Sequence, residues 1–283
     1  MIGIGPENTA GQAYRLAVAL RREGHDAVSF TPRPHRLGFP VDRLAGPDFA
    51  ANCAHVISWT GWPFEHPHVA YAYQGSEVRR PSIHRQREPW SPFGDDEITA
   101  RYEARVRAPR QPAFVATLDL RDYVRNATWL PIIAEPAVGE PLFRRPKPRV
   151  LFAPTNAFLK GTVPPDPAYD LVTPAFMPPD EMLAEIARAD VVVGGLRLGS
   201  YGGTEVQAMA AGRVVVGHVS PAMRSDLPDL PIVEADPATI VSVLRAIAAD
   251  PDAYRPVAER GPAFHARWHD GRYAAAQVAG WIA

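Results

Sequence analysis

Cysteine is almost missing: Cys53 stands alone in 283 residues. No intrachain disulfide can form, and a reducing, cytoplasmic setting is expected. The single thiol reads as a small buried core residue. Long hydrophobic runs are missing too, since none reaches the ~20 residues that cross a bilayer. MIGIGPENTAG, at the start, lacks the basic, apolar and cleavage regions of a secretory signal and reads as a strand entering a turn. Nor is there an excess of either charge: 30 Lys and Arg face 31 Asp and Glu, a formal net charge of -1. No nucleic-acid partner is expected from such a balance. Arginines at Arg79–Arg80, Arg85, Arg87 and Arg144–Arg145 leave weak peripheral membrane contact open, although a solvated face explains each as well. Lysine is scarce, with only Lys147 and Lys160. No G-K-[ST] Walker loop and no G-x-G-x-x-G at the first strand is present.

Proline is plentiful instead. Its 31 residues are about double the usual share and predict long ordered connectors. Between them, short apolar runs alternate with amphipathic segments. Strands are expected at Met1–Gly5, Ala27–Phe30, Ala54–Ser58, Val69–Tyr73, Phe114–Thr117 and within TWLPI. Helical spacing runs from Gly11 to Glu23, where Gly24 stops it. The segment 134–148, AEPAVGEPLFRRPKP, has prolines and no helical period, so it reads as a linker. The pattern then restarts: RVLFAPT and YDLVTP as strands, PDEMLAEIARA as a helix, PIVEA as a strand, a helix from Pro237 to Ala249 and two C-terminal helices. Strands alternating with helices imply parallel pairing in two doubly wound α/β halves. The expected division is residues 1–133, a linker at 134–148, a second domain at 149–264 and a C-terminal helix, 265–283, returning to the first domain.

One stretch is unlike the rest. ADVVVGGLRLGSYGGTEVQAMAAGRVVVGHV, Ala189 to Val219, is strand, glycine-rich turn, helix and strand. Glycines permit close backbone approach, and a helix start offers unbonded N–H groups that suit phosphate. From the glycines alone, a phosphate site and a tight structural turn stay equally open. Lys160, before Gly161 and past a strand, could neutralise a diphosphate as a point charge. Thr204 could bond phosphate or cap the helix. His265 and His269 lie four apart on a helix, but no third ligand is spaced nearby, so packed histidines are preferred and no metal is expected.

This stretch resembles the donor-site segment of family-4 glycosyltransferases of the GT-B fold, whose Glu-Ala-Met-Ala-x-Gly-x-Pro-Val-Val pattern is matched in order by QAMAAGRVVV. IGPENTAGQAYRLAVALRREGHDA is similar to that family's first strand, loop and helix, and YQGSEVR to its His-Gly-Ser-Asp-x-Arg segment. FVATLDLRDYVRNATWLPI, VLFAPTNAFLKGT and AERGPAFHARWHDGRYAAAQVAGWI follow in the family's order. The chain departs from the pattern where the family holds two glutamates: Gly199 and Gln207 stand there. Asn156 occupies the region of a phosphate-binding arginine, and Gln74 replaces a histidine.

The resemblance implies two Rossmann-like domains and a sugar transfer from a UDP-, GDP-, ADP- or dTDP-sugar, with retention and without metal or other cofactor, in glycan or natural-product biosynthesis. It places the nucleotide on the second domain, against Asn156, Lys160, Gly202, Gly203, Thr204, Glu205 and Gln207. The acceptor or sugar side falls to Asn8, Gly11, Gln74 and Glu77 on the first. Lys160 and Glu77 are the candidates for a part in the chemistry. The alternative is an inactive relative that binds a nucleotide or glycan, as the missing glutamates would suggest; an epimerase or phosphorylase would need acid and base groups that the sequence does not offer.

Overall fold

Two parallel β-sheets organise the chain, which the structure, a computed structural model, describes over residues 1–283. The first sheet holds seven strands: β1 (Ile2–Gly5), β2 (Ala27–Thr31), β3 (Arg43–Leu44), β4 (His55–Trp59), β5 (Val69–Tyr73), β6 (Ala113–Val115) and β7 (Thr128–Trp129), in the order β3-β2-β1-β4-β5-β6-β7. The second holds β8 (Arg149–Phe152), β9 (Asp170–Val172), β10 (Val191–Val193), β11 (Val214–Gly217) and β12 (Ile232–Glu234), in the order β12-β11-β10-β8-β9. Every pairing is parallel. The order turns back at the first strand of each sheet, β1 and β8, and ligands of such folds bind beyond the strand C-termini at such reversals.

The chain divides into two compact units. Unit 1 comprises Met1–Ile83, Asp95–Ile133 and Trp268–Ala283; unit 2 comprises His84–Gly94 and Ala134–Arg267. In unit 1, α1 (Gln12–Arg22) buries Leu16 and Leu20 completely, together with Ile4 and Ile57 of the sheet. Each such side chain contributes about 1.5–3 kcal/mol through removal from water. Gly24, at φ +86°, closes α1, and the His25 N–H returns to the Leu20 carbonyl at 3.0 Å. This is the left-handed glycine stop that the sequence predicts. The C-terminal helix α10 (Arg272–Ile282) lies against the same core through Ala274, Ala275 and Val278. The residues of this last segment, Trp268–Ala283, belong to unit 1. Cys53 is buried, and burial pushes its thiol up; a side chain on Gly3 would collide with its Sγ.

In unit 2, Val191, Val193, Val214 and Val216 meet Leu244 and Ile247 in one core. Their valine runs lack the alternation of a half-wet strand, as expected for a parallel sheet covered on both faces. The proline-bearing segment 134–148 has no regular element, yet Leu142 and Phe143 pack on this core. The Phe143 N–H donates to Asp190 Oδ1 at 2.5 Å.

The remaining helices, in chain order, are α2 (Pro81–Arg87), α3 (Glu97–Glu103), α4 (Ala157–Lys160), α5 (Pro179–Arg188), α6 (Gly203–Ala210), α7 (Pro221–Asp226), α8 (Ile240–Ala249) and α9 (Arg255–Trp268). No helix is long and apolar enough to cross a membrane.

Candidate functional site

The glycine-rich turn of unit 2 leaves the C-terminal end of β10. The backbone fixes it from three sides. The Gly194 N–H donates to the Val216 carbonyl at 2.8 Å, the Leu196 N–H to the Lys160 carbonyl at 2.8 Å, and the His218 N–H to the Gly195 carbonyl at 2.8 Å. Arg197 adds a side-chain tie, donating to the Phe158 carbonyl at 3.2 Å. The turn is therefore locked to the end of α4, which carries Lys160.

Inside this frame Glu205, the third residue of α6, turns its carboxylate back onto the turn. Its Oε1 accepts from the Gly195 N–H at 3.0 Å and from Lys160 Nζ at 3.1 Å. The carboxylate is 3% exposed and the lysine 26%, so the pair keeps one foot in water. Burial pushes the Glu205 carboxyl up, but the Lys160 ammonium and the N–H groups of Glu205 and Gly195 outweigh it and hold the acid below its ordinary range. Gly194 is needed here for close approach: a Cβ on it would stand 2.4 Å from the Glu205 side chain. Gly202 precedes α6 in extended geometry and caps it without a side chain. Thr204 is thus not the cap, and the first N–H groups of α6 lack partners within the helix.

The sequence candidates of unit 2 therefore fall into place as follows. Lys160 and Glu205 form one ion pair beside Gly195, and a Cβ on Gly202 would lie 3.4 Å from Nζ. Gly203 and Thr204 open the helix. Asn156 caps α4, its Oδ1 accepting from the Leu159 N–H at 3.4 Å. Gln207 is half-buried one turn into α6, and its amide has no hydrogen-bond partner within the chain.

A second cluster on the same turn involves residues that the sequence did not single out. His218, just past β11, donates through Nε2 to Glu88 at 2.9 Å and through Nδ1 to Glu234 at 2.7 Å. Burial alone would lower its pKa, but the two carboxylates reverse this and raise it to about 9. The imidazole is therefore a cation at neutral pH, clamped by two acids. Glu88 rests over Gly199, whose φ is +67°; a Cβ there would sit 2.5 Å from Glu88 Oε1. No local pattern links Glu88 to His218, which lie 130 residues apart. The only signal in the sequence is a polar residue placed directly after an apolar strand.

In unit 1 the candidates form two pairs. Asn8 is buried; its Oδ1 accepts from the Tyr14 N–H at 3.2 Å and its amide donates to the Pro40 carbonyl at 2.7 Å. The Gly11 N–H donates to the Asn8 carbonyl at 3.1 Å, and Gly11 opens α1 at φ +75°. In the other pair, the Glu77 carboxylate accepts from the N–H groups of Gln74 and of Gly75, the latter at 3.0 Å. Burial raises its pKa despite these bonds and the nearby Arg79. Arg79 is tied to Asp119 at 2.6 Å, both about nine-tenths buried. No hydrogen bond joins the Asn8 pair to the Glu77 pair. His265, in unit 2, bonds the Ala134 carbonyl at 2.8 Å, and His269, in unit 1, the Ile132 carbonyl at 2.7 Å. Both are packed histidines.

No family model matches the sequence, and no curated protein matches it. Solved structures do. The chain is similar to a sucrose-phosphate synthase from Thermosynechococcus elongatus, with 13% identity, a TM-score of 0.65 and coverage of 99% of this chain and 97% of that one. It is similar to WaaG, a glycosyltransferase involved in lipopolysaccharide biosynthesis, at 12% identity and a TM-score of 0.59, over 99% and 98% of the two chains. It is also similar to HepE of Anabaena, solved in complex with UDP-glucose, at 9% identity and a TM-score of 0.58, again over 99% and 98%. The α/β architecture of two parallel sheets is thus the GT-B fold of glycosyltransferases.

Proposed function

We propose that the chain transfers a sugar from a nucleotide-sugar donor to an acceptor hydroxyl, with retention and without a metal. One observation carries the reading: Lys160 Nζ is held beside Gly195 and Gly202, where the turn meets the start of α6. An ammonium has three donors, and Glu205 takes one. The others, with the unbonded N–H groups of Gly203 and Thr204, suit the oxygens of a diphosphate. As the bond from the sugar's anomeric carbon to the diphosphate breaks, negative charge grows on the leaving oxygen, and these donors stabilise it. The acceptor oxygen bonds the anomeric carbon from the same face, and its proton passes to a phosphate oxygen of the leaving group. Glu205, kept ionised, holds the lysine in place. Gln207 offers its unpartnered amide to the ribose or the donor sugar, and Glu77, Gln74, Asn8 and Gly11 form the acceptor side in residues 1–133.

HepE was solved with UDP-glucose and with UDP, so UDP-glucose is the first donor to try. Calorimetry should give a Lys160→Ala variant at least tenfold weaker for UDP, or about 1.4 kcal/mol, with uridine unaffected. Equal losses for the two ligands would sink the assignment. Gly199 and Gln207, in place of a glutamate pair, favour a second reading, a binding protein without turnover. Release or transfer of glucose from UDP-glucose separates the two.

A further inference from the structure

A cleft of about 890 Å³ opens within unit 1 beside the turn that follows β1. Its size is that of a small-molecule site. Its charge is lopsided. Arg33, His35 and Arg36 line it, while Glu7 is its only carboxylate, in a chain whose formal net charge is -1. Glu7 is occupied as well, its Oε2 accepting from the Thr60 hydroxyl at 2.8 Å.

Arg33 is the centre of the case. Pro32 and Pro34 flank it, and the Thr31 hydroxyl donates to its carbonyl at 2.7 Å. Proline fixes φ, so the backbone that presents this side chain is stiff. The guanidinium itself is exposed and has no ion-pair or hydrogen-bond partner in the chain. His35 accepts from the Leu37 N–H through Nδ1 at 3.1 Å. A neutral ring bonded this way carries its proton on Nε2 and is a donor there. Phe39 meets the His35 ring at 4.9 Å between centroids, and the cleft also carries Trp62, one of the few exposed large apolar side chains. Fork-shaped donors match phosphate and carboxylate oxygens. An exposed indole face suits the C–H face of a sugar ring. A neutral hydrophilic ligand would leave Arg33 unanswered.

We propose that this cleft binds a sugar-sized molecule bearing a phosphate or carboxylate group, the anion on Arg33 and the ring against Trp62. On the transferase reading above, on which this role rests, that molecule is the acceptor.

The test is calorimetry on the full chain with glucose 6-phosphate, glucuronate, glucose and inorganic phosphate, with UDP titrated into the same samples. At least one charged sugar should bind ten times more tightly than glucose and than inorganic phosphate. Arg33→Ala should remove that advantage while leaving the melting temperature and UDP binding unchanged. Trp62→Ala should weaken the charged sugar and spare inorganic phosphate. Charged sugars no better than glucose, or an Arg33→Ala variant that binds them as the parent does, would overturn the proposal whatever UDP does. Loss of UDP binding with the charged sugar retained would instead remove the donor reading alone.

Discussion

Each unit buries carboxylates beside a glycine-bearing turn, but the two turns handle charge differently. In unit 1, Glu77 accepts only from backbone N–H groups, and its neighbour Arg79 is committed to Asp119. Its pKa is raised. In unit 2, Glu205 has a partly exposed lysine and Glu88 has a histidine. Glu205 is lowered, and His218 is raised to about 9. The lesson concerns the partners. An arginine keeps its charge across ordinary pH, whereas lysine and histidine can exchange partners or protons. The Arg79–Asp119 pair therefore fits a scaffold, whereas the Lys160–Glu205 pair and the His218 clamp can answer a ligand or the solvent.

The contrast breaks first, and most visibly, at Arg79. An Arg79→Ala variant leaves Asp119 buried without its partner, and removal of one member of a buried pair costs about 3–5 kcal/mol. Asp119 Oδ1 already has no hydrogen-bond partner, so the variant would leave both oxygens of a buried carboxylate without Arg79. Denaturant unfolding should show that loss; a cost below about 1 kcal/mol would mean that the pair is not part of the scaffold.

The next largest effect is a pH window in unit 2. His218 has a folded pKa above its ordinary 6.5. Its contribution is complete below pH 6.5 and is lost as pH rises through about 9. At about 1.4 kcal/mol per pH unit, and discounted for partial solvent access, roughly 2 kcal/mol should disappear across that window. The decline should flatten in a Glu88→Gln variant. Identical slopes in parent and variant would mean that the clamp does not hold the imidazolium.

The smallest effect sharpens the comparison most. Glu205 is lowered from 4.5, so it stabilises the fold above pH 4.5 and ceases to do so as pH falls through its folded pKa. Glu77 is raised from 4.5, so its ionisation costs stability as pH rises from 4.5 through its folded pKa. Glutamine at each position removes the titration. Between pH 3.5 and 7, melting temperatures relative to the parent should therefore climb for Glu77→Gln and fall for Glu205→Gln. Parallel trends would erase the distinction drawn between the two turns.

Much of this fold is legible in the sequence, because continuous valine runs and 3.6-residue spacing act locally. Val191–Val193 and Val214–Gly217 are strands for the reason their sequence suggests, and α1 ends at Gly24. Short pieces such as β3 and α7 carry no such period and depend on tertiary support. At the glycine turn, the value of glycine is legible but its reasons differ by position: Gly199 adopts positive φ, while Gly194 makes room for Glu205. The orientation of Glu205 toward Lys160 is a tertiary fact, since 45 residues separate them. The same holds for Glu88, which reaches His218 from a segment whose sequence neighbours belong to unit 1.

The seat of Glu88 over Gly199 makes the two positions answer to each other under substitution. Residue 199 cannot gain a side chain while Glu88 fills that space, and the backbone there is one that only glycine adopts freely. A Gly199→Glu change made alone meets both a collision and strain. Made after the loss of Glu88, it meets only the strain, but the intermediate leaves His218 with one acid in place of two. The two positions are therefore epistatic: the order of substitutions decides which are tolerated.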